Sequence, residues 1–137
     1  MRTFMSIVLV LWLSGFASAA EHGHSHTMTP EMRRQHNSMS VTQKQWAACK
    51  KYLDAGDFTA ADASLARMQK AAGDLEKFKL HKNSEMTGNF KEQADNFKKN
   101  LSELEKALKD KGKDKMRVQR LSATIDNGCV QCHSVFR

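Results

Sequence analysis

Hydrophobic side chains recur every three, four or seven residues along most of the chain, which is the spacing of amphipathic helices. The first such stretch predicts a helix over 30–55. Thr29 at the N-cap and Pro30 in the first turn favour its start, and Gly56 favours its end. The positions expected to face inward on this helix are Met32, Met39, Trp46, Cys49 and Leu53.

The same spacing predicts three further helices. The second opens at Thr59, where Asp62 three residues later resembles a capping box. A connection over 78–83 leads to the third helix. Residues 111–113 are expected to end this helix, and the fourth covers 114–137. Four such helices without strand signals indicate an all-α bundle. Inward positions are Leu65, Met68, Ala72, Leu75, Phe90, Ala94, Phe97, Leu101, Leu104, Leu108, Val118, Leu121, Ile125, Cys129, Cys132 and Phe136.

The first twenty residues have the pattern of a cleaved signal peptide. Arg2 precedes an apolar run, and small residues over 17–20 follow it. The run is shorter than the roughly 20 apolar residues that span a bilayer. We therefore expect export to the periplasm without membrane insertion, a mobile tail over 21–28, and one domain over 29–137.

Charge gives little support to a nucleic-acid function. Without the predicted leader, the chain has 21 Lys and Arg against 15 Asp and Glu, a formal net charge of +6. The basic residues are spread along every predicted helix beside acidic ones and form no stripe. A solvated surface is the favoured interpretation, with steering of an acidic redox partner as a second role.

Candidate chemistry is concentrated near the C-terminal end, where Cys129, Cys132 and His133 form a C-x-x-C-H motif. This spacing is that of a c-type haem attachment site. On a helix, residues i and i+3 share one face, so both thiols reach the vinyl groups along one edge of a porphyrin. The imidazole at i+4 projects toward the iron.

Other interpretations of these cysteines fit less well. A zinc site needs a fourth donor, and a thioredoxin-like redox pair needs a βαβ setting. Haem attachment uses two of the three cysteines and leaves Cys49 alone. A buried Cys49 would pack as a small apolar group, whereas an exposed one would pair two subunits as a homodimer.

The ending CVQCHSVFR resembles that of the cytochrome c prime family and its low-spin relatives, in which two residues, an aromatic and then Arg or Lys follow the motif. The resemblance extends over 29–137, with an Arg-rich start to the first helix and an aromatic and Leu seam in the third. It implies an antiparallel up-down-up-down four-helix bundle, of which cytochrome c′ is a standard example. It also implies one covalent haem c.

Carried over to this sequence, the resemblance makes Cys129 and Cys132 the thioether links and His133 the axial iron ligand. It places Arg137 beside the proximal haem face, and Arg33 or Arg34 near a propionate. A solvated helix start explains those two arginines equally well.

The first helix passes over the distal haem face in this family, so it would carry any sixth iron ligand. Met39 is the preferred residue because it shares the inward stripe with Trp46, although a gapless match from Gly56 falls on Ser40. Core filling is the alternative role for such a methionine. Weaker alternatives are Met32 and His36. Metal binding by the tail is a further hypothesis, resting on His22, His24 and His26, whereas His81 is expected to face solvent.

The leading functional hypothesis is one-electron transfer to and from redox partner proteins, with no catalytic residue and no substrate pocket. The alternative is a high-spin haem protein that binds nitric oxide or carbon monoxide at a vacant distal site. Distal ligation separates these two functions. A peroxide-reducing enzyme would need a polar acid–base pair beside the haem, which His36 alone does not provide.

Overall fold

The computed structural model describes residues 28–80, 83–110 and 114–136. Within these residues there are four long helices and no strands, which confirms the all-α prediction. The predicted signal peptide, His22, His24, His26, His81 and Arg137 lie outside the described residues. The long helices are α1 (Pro30–Asp54), α2 (Phe58–Ala72), α3 (Thr87–Lys109) and α4 (Lys115–Phe136), with short 3-10 turns at Leu75–Lys77 and Ser84–Met86.

Local capping explains where α1 begins and ends. The Thr29 hydroxyl accepts a hydrogen bond from the Met32 N–H at 3.1 Å, as expected for an N-cap. Beyond the other end, Gly56 has a φ of +73°, a left-handed conformation that glycine adopts without a Cβ clash. The predicted start and end of this helix are therefore confirmed to within one residue.

The start of α2 differs from its prediction. The N-cap is Asp57, whose carboxylate accepts from the Ala60 N–H at 3.0 Å, and not Thr59. A charged acceptor beside the unpaired N–H groups of the first turn stabilises this earlier start. The helix also ends at Ala72, so Leu75 lies in a 3-10 turn, although it is buried as predicted.

The core lies between the middle parts of the four helices. Most residues predicted to face inward are buried. The others are half-buried, namely Met32, Met39, Leu53, Phe97, Leu121, Cys129, Cys132 and Phe136. The buried apolar residues are Trp46, Cys49, Ala61, Leu65, Met68, Ala72, Leu75, Phe90, Ala94, Leu101, Leu104, Ala107, Leu108, Val118 and Ile125.

Helices that follow one another in the chain pack together. The backbone of α1 lies against α2, that of α2 against α3, and that of α3 against α4. Close backbone approaches between α1 and α4 are fewer than in any of these three pairs. The first and last helices are instead linked by side chains, Trp46 and Lys50 on α1 with Asp126 on α4.

No helix in the described part of the chain is long and apolar enough to cross a membrane. This finding covers α1 to α4 and does not extend to residues 1–27.

Truncation of a core leucine tests this packing. Leu104 is fully buried on α3, so Leu104→Ala should lower the free energy of unfolding by about 2–5 kcal/mol, the usual cost of a cavity. The control Met116→Ala changes a side chain that is 61% exposed and should cost less than about 0.5 kcal/mol. Urea denaturation measures both. Equal losses would contradict the described core.

Candidate functional site

The three motif residues lie on the last turns of α4. Cys129 and Cys132 are half-buried, and His133 is exposed. The helix continues to Phe136, whose ring meets that of Phe90 on α3 edge to face, with 5.3 Å between the ring centroids. The motif therefore has the helical setting that its spacing predicts, and the end of α4 is anchored to α3 just beyond it.

Both motif thiols are held in their neutral form. Burial raises the pKa of Cys132, and burial together with the nearby negative charge of Asp126 raises the pKa of Cys129. A nucleophilic Cys-x-x-Cys pair has the opposite property, because its reactivity requires a lowered thiol pKa. This environment disfavours the redox-pair interpretation.

Cys49 lies in the core between α1 and α2. Its side chain is 0% exposed, and burial, with a smaller contribution from the charge of Asp62, raises its pKa to about 11. The condition for a disulfide between two subunits, an exposed Cys49, is not met in this fold. The thiol packs as a small apolar group.

One carboxylate oxygen connects α1 with α4. Asp126 Oδ1 accepts a hydrogen bond from Trp46 Nε1 at 2.7 Å and a second from Lys50 Nζ at 2.9 Å. Lys50 Nζ also lies 5.6 Å from the centre of the Trp46 ring, within the range of a cation–π contact. We call these three residues the α1–α4 bridge.

The charge of Asp126 is stabilised where it lies. Partial burial raises the pKa of this carboxyl, but the hydrogen bonds from Lys50 and Trp46, together with the positive charge of Lys50, outweigh burial and bring the pKa below its ordinary value. Sequence reasoning missed Asp126 and Lys50. The available signal was that Asp126 is the single acidic residue of α4 and lies one turn before Cys129.

Met39 lies on α1, seven residues before Trp46, and His133 lies seven residues after Asp126 on α4. Met39 is half-buried and packs against the core, whereas Ser40 is exposed. This difference in burial favours Met39 over Ser40 as the inward residue at this position.

Two buried hydroxyls near the bridge have no hydrogen-bond partner in the described part of the chain. They are Thr42 Oγ1 on α1, where the side chain is 4% exposed, and Ser122 Oγ on α4. Buried polar atoms in folded proteins are nearly always paired. The Thr42 hydroxyl is therefore a polar atom of α1 whose hydrogen-bonding capacity the described residues do not use.

The residues present also fit a covalently held haem. Cys129, Cys132 and His133 supply two thiols and an imidazole on one helix, next to a helix that approaches it mainly through side chains. No group of three or more His, Cys, Asp or Glu within 28–80, 83–110 and 114–136 is arranged to hold a bare metal ion.

The arginines predicted at the haem periphery are not brought to the motif by any contact among the described residues. Arg33 and Arg34 are exposed on the first turns of α1. The pKa of Asp74 is lowered mainly by Lys77, and the positive charge of Arg34 adds a smaller contribution.

Comparisons of the chain with known protein families, with curated proteins and with solved structures find no match. The family resemblance therefore depends on the sequence itself, above all on residues 129–137.

A pH experiment tests the charge of Asp126. Its folded-state pKa lies below 3.8, the ordinary Asp value, so its contribution to stability is present above pH 3.8 and is lost as pH falls through the folded-state pKa. Asp126→Asn should therefore reduce the free energy of unfolding at pH 7, by less than about 1 kcal/mol because the pair is partly exposed, and the difference should shrink below pH 3.8.

Urea denaturation at a series of pH values measures this difference. Glu92→Gln, which removes an exposed carboxylate from α3, is the control for losing one negative charge. A native advantage over Asp126→Asn that persists undiminished far below pH 3.8 would contradict the described bridge.

Proposed function

We propose that this chain is an exported, periplasmic monohaem c-type cytochrome that carries one electron. The observation that supports this most is the motif on α4, where two half-buried cysteines and the histidine that follows lie at i, i+3 and i+4. The export proposal depends on the signal-peptide pattern of residues 1–20. The family proposal, a member of the cytochrome c prime family, depends on CVQCHSVFR.

The proposed architecture is an antiparallel up-down-up-down bundle. Its support comes from pairs of contacting residues that join neighbouring helices, one of them formed by the Ser38 hydroxyl, which donates to the Ala71 backbone carbonyl. The later a contact lies on one element, the earlier its partner lies on the next, as antiparallel helices require. These pairs are Ser38 with Ala71 and Gln45 with Arg67, Gln69 with Glu105 and Glu76 with Lys98, and Glu103 with Arg117 and Phe90 with Phe136.

This topology makes α1 antiparallel to α4, with the α1–α4 bridge fixing their register. Seven residues from the bridge correspond to about 10 Å along either helix. One such step back along α1 reaches Met39, and one step forward along α4 reaches His133. The register therefore supports Met39 as the sixth iron ligand opposite His133.

Each residue has a defined task in the proposed mechanism. Cys129 and Cys132 would hold a haem through thioether bonds, and His133 would bind its iron. When bound, the haem would supply an iron that changes between the ferric and ferrous states. A Met39 thioether would favour the ferrous state more than an oxygen or nitrogen donor, and apolar side chains nearby would limit access of water. No catalytic residue is proposed.

Charge on α1 supports an acidic redox partner protein. Helix α1 carries five Lys and Arg against two acidic residues, Glu31 and Asp54, which lie at its two ends. Lys50 is engaged with Asp126, and the other four are exposed. Such a surface attracts an acidic protein and speeds encounter.

The alternative function, binding of nitric oxide or carbon monoxide, has one observation in its favour. The unpaired Thr42 hydroxyl lies one turn from Met39 and offers a hydrogen-bond donor to a small ligand on that side of α1. In this alternative Met39 fills the core and does not bind iron. Substitution of Met39 separates the two functions.

The first test concerns the covalent link. Acidified organic solvent should leave the haem on the denatured chain, because thioether bonds survive conditions that break iron–imidazole bonds. The mass should exceed that of the bare chain by one haem. Cys129→Ala with Cys132→Ala should abolish the attachment, whereas Cys49→Ala should preserve it. A bare chain in the native sample would contradict the proposal.

The second test concerns Met39. Met39→Ala should convert a low-spin ferric spectrum toward high spin, lower the reduction potential and increase carbon monoxide affinity, because the iron loses a thioether ligand. Met32→Ala changes another half-buried methionine one heptad earlier and serves as the control. Optical titration and redox potentiometry measure the effects. A high-spin native protein that Met39→Ala leaves unchanged would favour the gas-binding function.

A further inference from the structure

We propose that Asp126 is a positioning residue that sets how closely α1 approaches the haem and so controls access to the sixth iron site. This inference depends on the proposed haem function. It assigns a role to a residue that is neither in the attachment motif nor among the expected iron ligands.

The geometry of the α1–α4 bridge carries the inference. Trp46 is almost fully buried, so the core fixes the indole whose N–H donates to Asp126. Lys50 donates to the same carboxylate oxygen and lies next to the Trp46 ring, so three groups hold one another in place. Hydrogen bonds to a charged acceptor are shorter and stronger than those between neutral groups.

The bridge lies two helical turns from a proposed iron ligand on each of the two helices. On α4 it lies three residues before Cys129 and seven before His133. On α1 its partner Trp46 lies seven residues after Met39. Because helices are stiff over two turns, the bridge restricts how far the Met39 region of α1 moves relative to the motif.

Backbone packing does not replace this restriction. The backbones of α1 and α4 approach each other less than those of the other neighbouring pairs, and Met39 and both motif cysteines are only half-buried. We therefore expect loss of the bridge to let α1 move away from the haem. The Met39 thioether would then dissociate more readily, and an added ligand would bind in its place.

Three variants of the mature haem-loaded protein test this role. Asp126→Leu removes both hydrogen bonds and keeps the side chain similar in size. Asp126→Asn keeps an oxygen that accepts from Trp46 but removes the ion pair with Lys50. Glu76→Gln is the control, because it breaks a 2.7 Å ion pair with Lys98 on α3, away from the bridge.

Carbon monoxide affinity of the ferrous protein and the high-spin fraction of the ferric protein are the measurements. Asp126→Leu should raise the affinity about tenfold and increase the high-spin fraction, as expected for losing a hydrogen bond to a charged group. Asp126→Asn should retain much of the native carbon monoxide affinity and high-spin fraction. Glu76→Gln should stay within about twofold of native, below the usual range of coupling between sites.

The inference is overturned if Asp126→Leu also stays within about twofold of native, or if Glu76→Gln raises the affinity as much. Should Asp126→Leu fail to fold, Trp46→Phe takes its place, since it removes the N–H donor and keeps an aromatic ring in the core, and a native affinity in that variant overturns the inference. Mass spectra of the same samples distinguish failure of the positioning role from failure of the proposed function. Covalent haem with unchanged affinities rejects the positioning role alone, whereas a bare native chain rejects the proposed function as well.

Discussion

The carboxylate of Asp126 joins the first and last helices where their backbones stay apart. The other neighbouring helices are held together by their packed backbones and by the apolar core, but α1 and α4 depend more on side chains. A charged acceptor with two donors, Trp46 and Lys50, fixes their register without bringing the backbones together. Within two turns of this contact on either helix, Met39, Cys129 and Cys132 are only half-buried and His133 is exposed.

The environment of the cysteines bears on one of the possible chemistries of the motif. Burial raises the pKa of Cys129 and Cys132, whereas reversible disulfide exchange uses a thiol with a lowered pKa. Cys49 is more deeply buried and has a pKa of about 11, which keeps the third thiol of the chain apart from this chemistry.

Local patterns predicted the helices well because each pattern reflects forces within a few residues. The heptad spacing placed Trp46 inward, and the C-x-x-C-H spacing placed Cys129 and Cys132 on one helical face. The predicted start of α2 was wrong because two possible capping residues, Asp57 and Thr59, lie two positions apart, and the sequence does not show which of them caps the helix. Asp126 was missed because its partners are 80 and 76 residues away and depend on how α1 meets α4.

The optical and paramagnetic resonance spectra of the native ferric protein, purified after export, test the central claim most directly. The account predicts haem absorption that stays with the chain and a low-spin ferric signal, because the proposed ligands His133 and Met39 would both bind the iron. A chain without haem absorption would contradict the proposed function. A fully high-spin signal would contradict thioether ligation by Met39 and leave the iron open to small ligands.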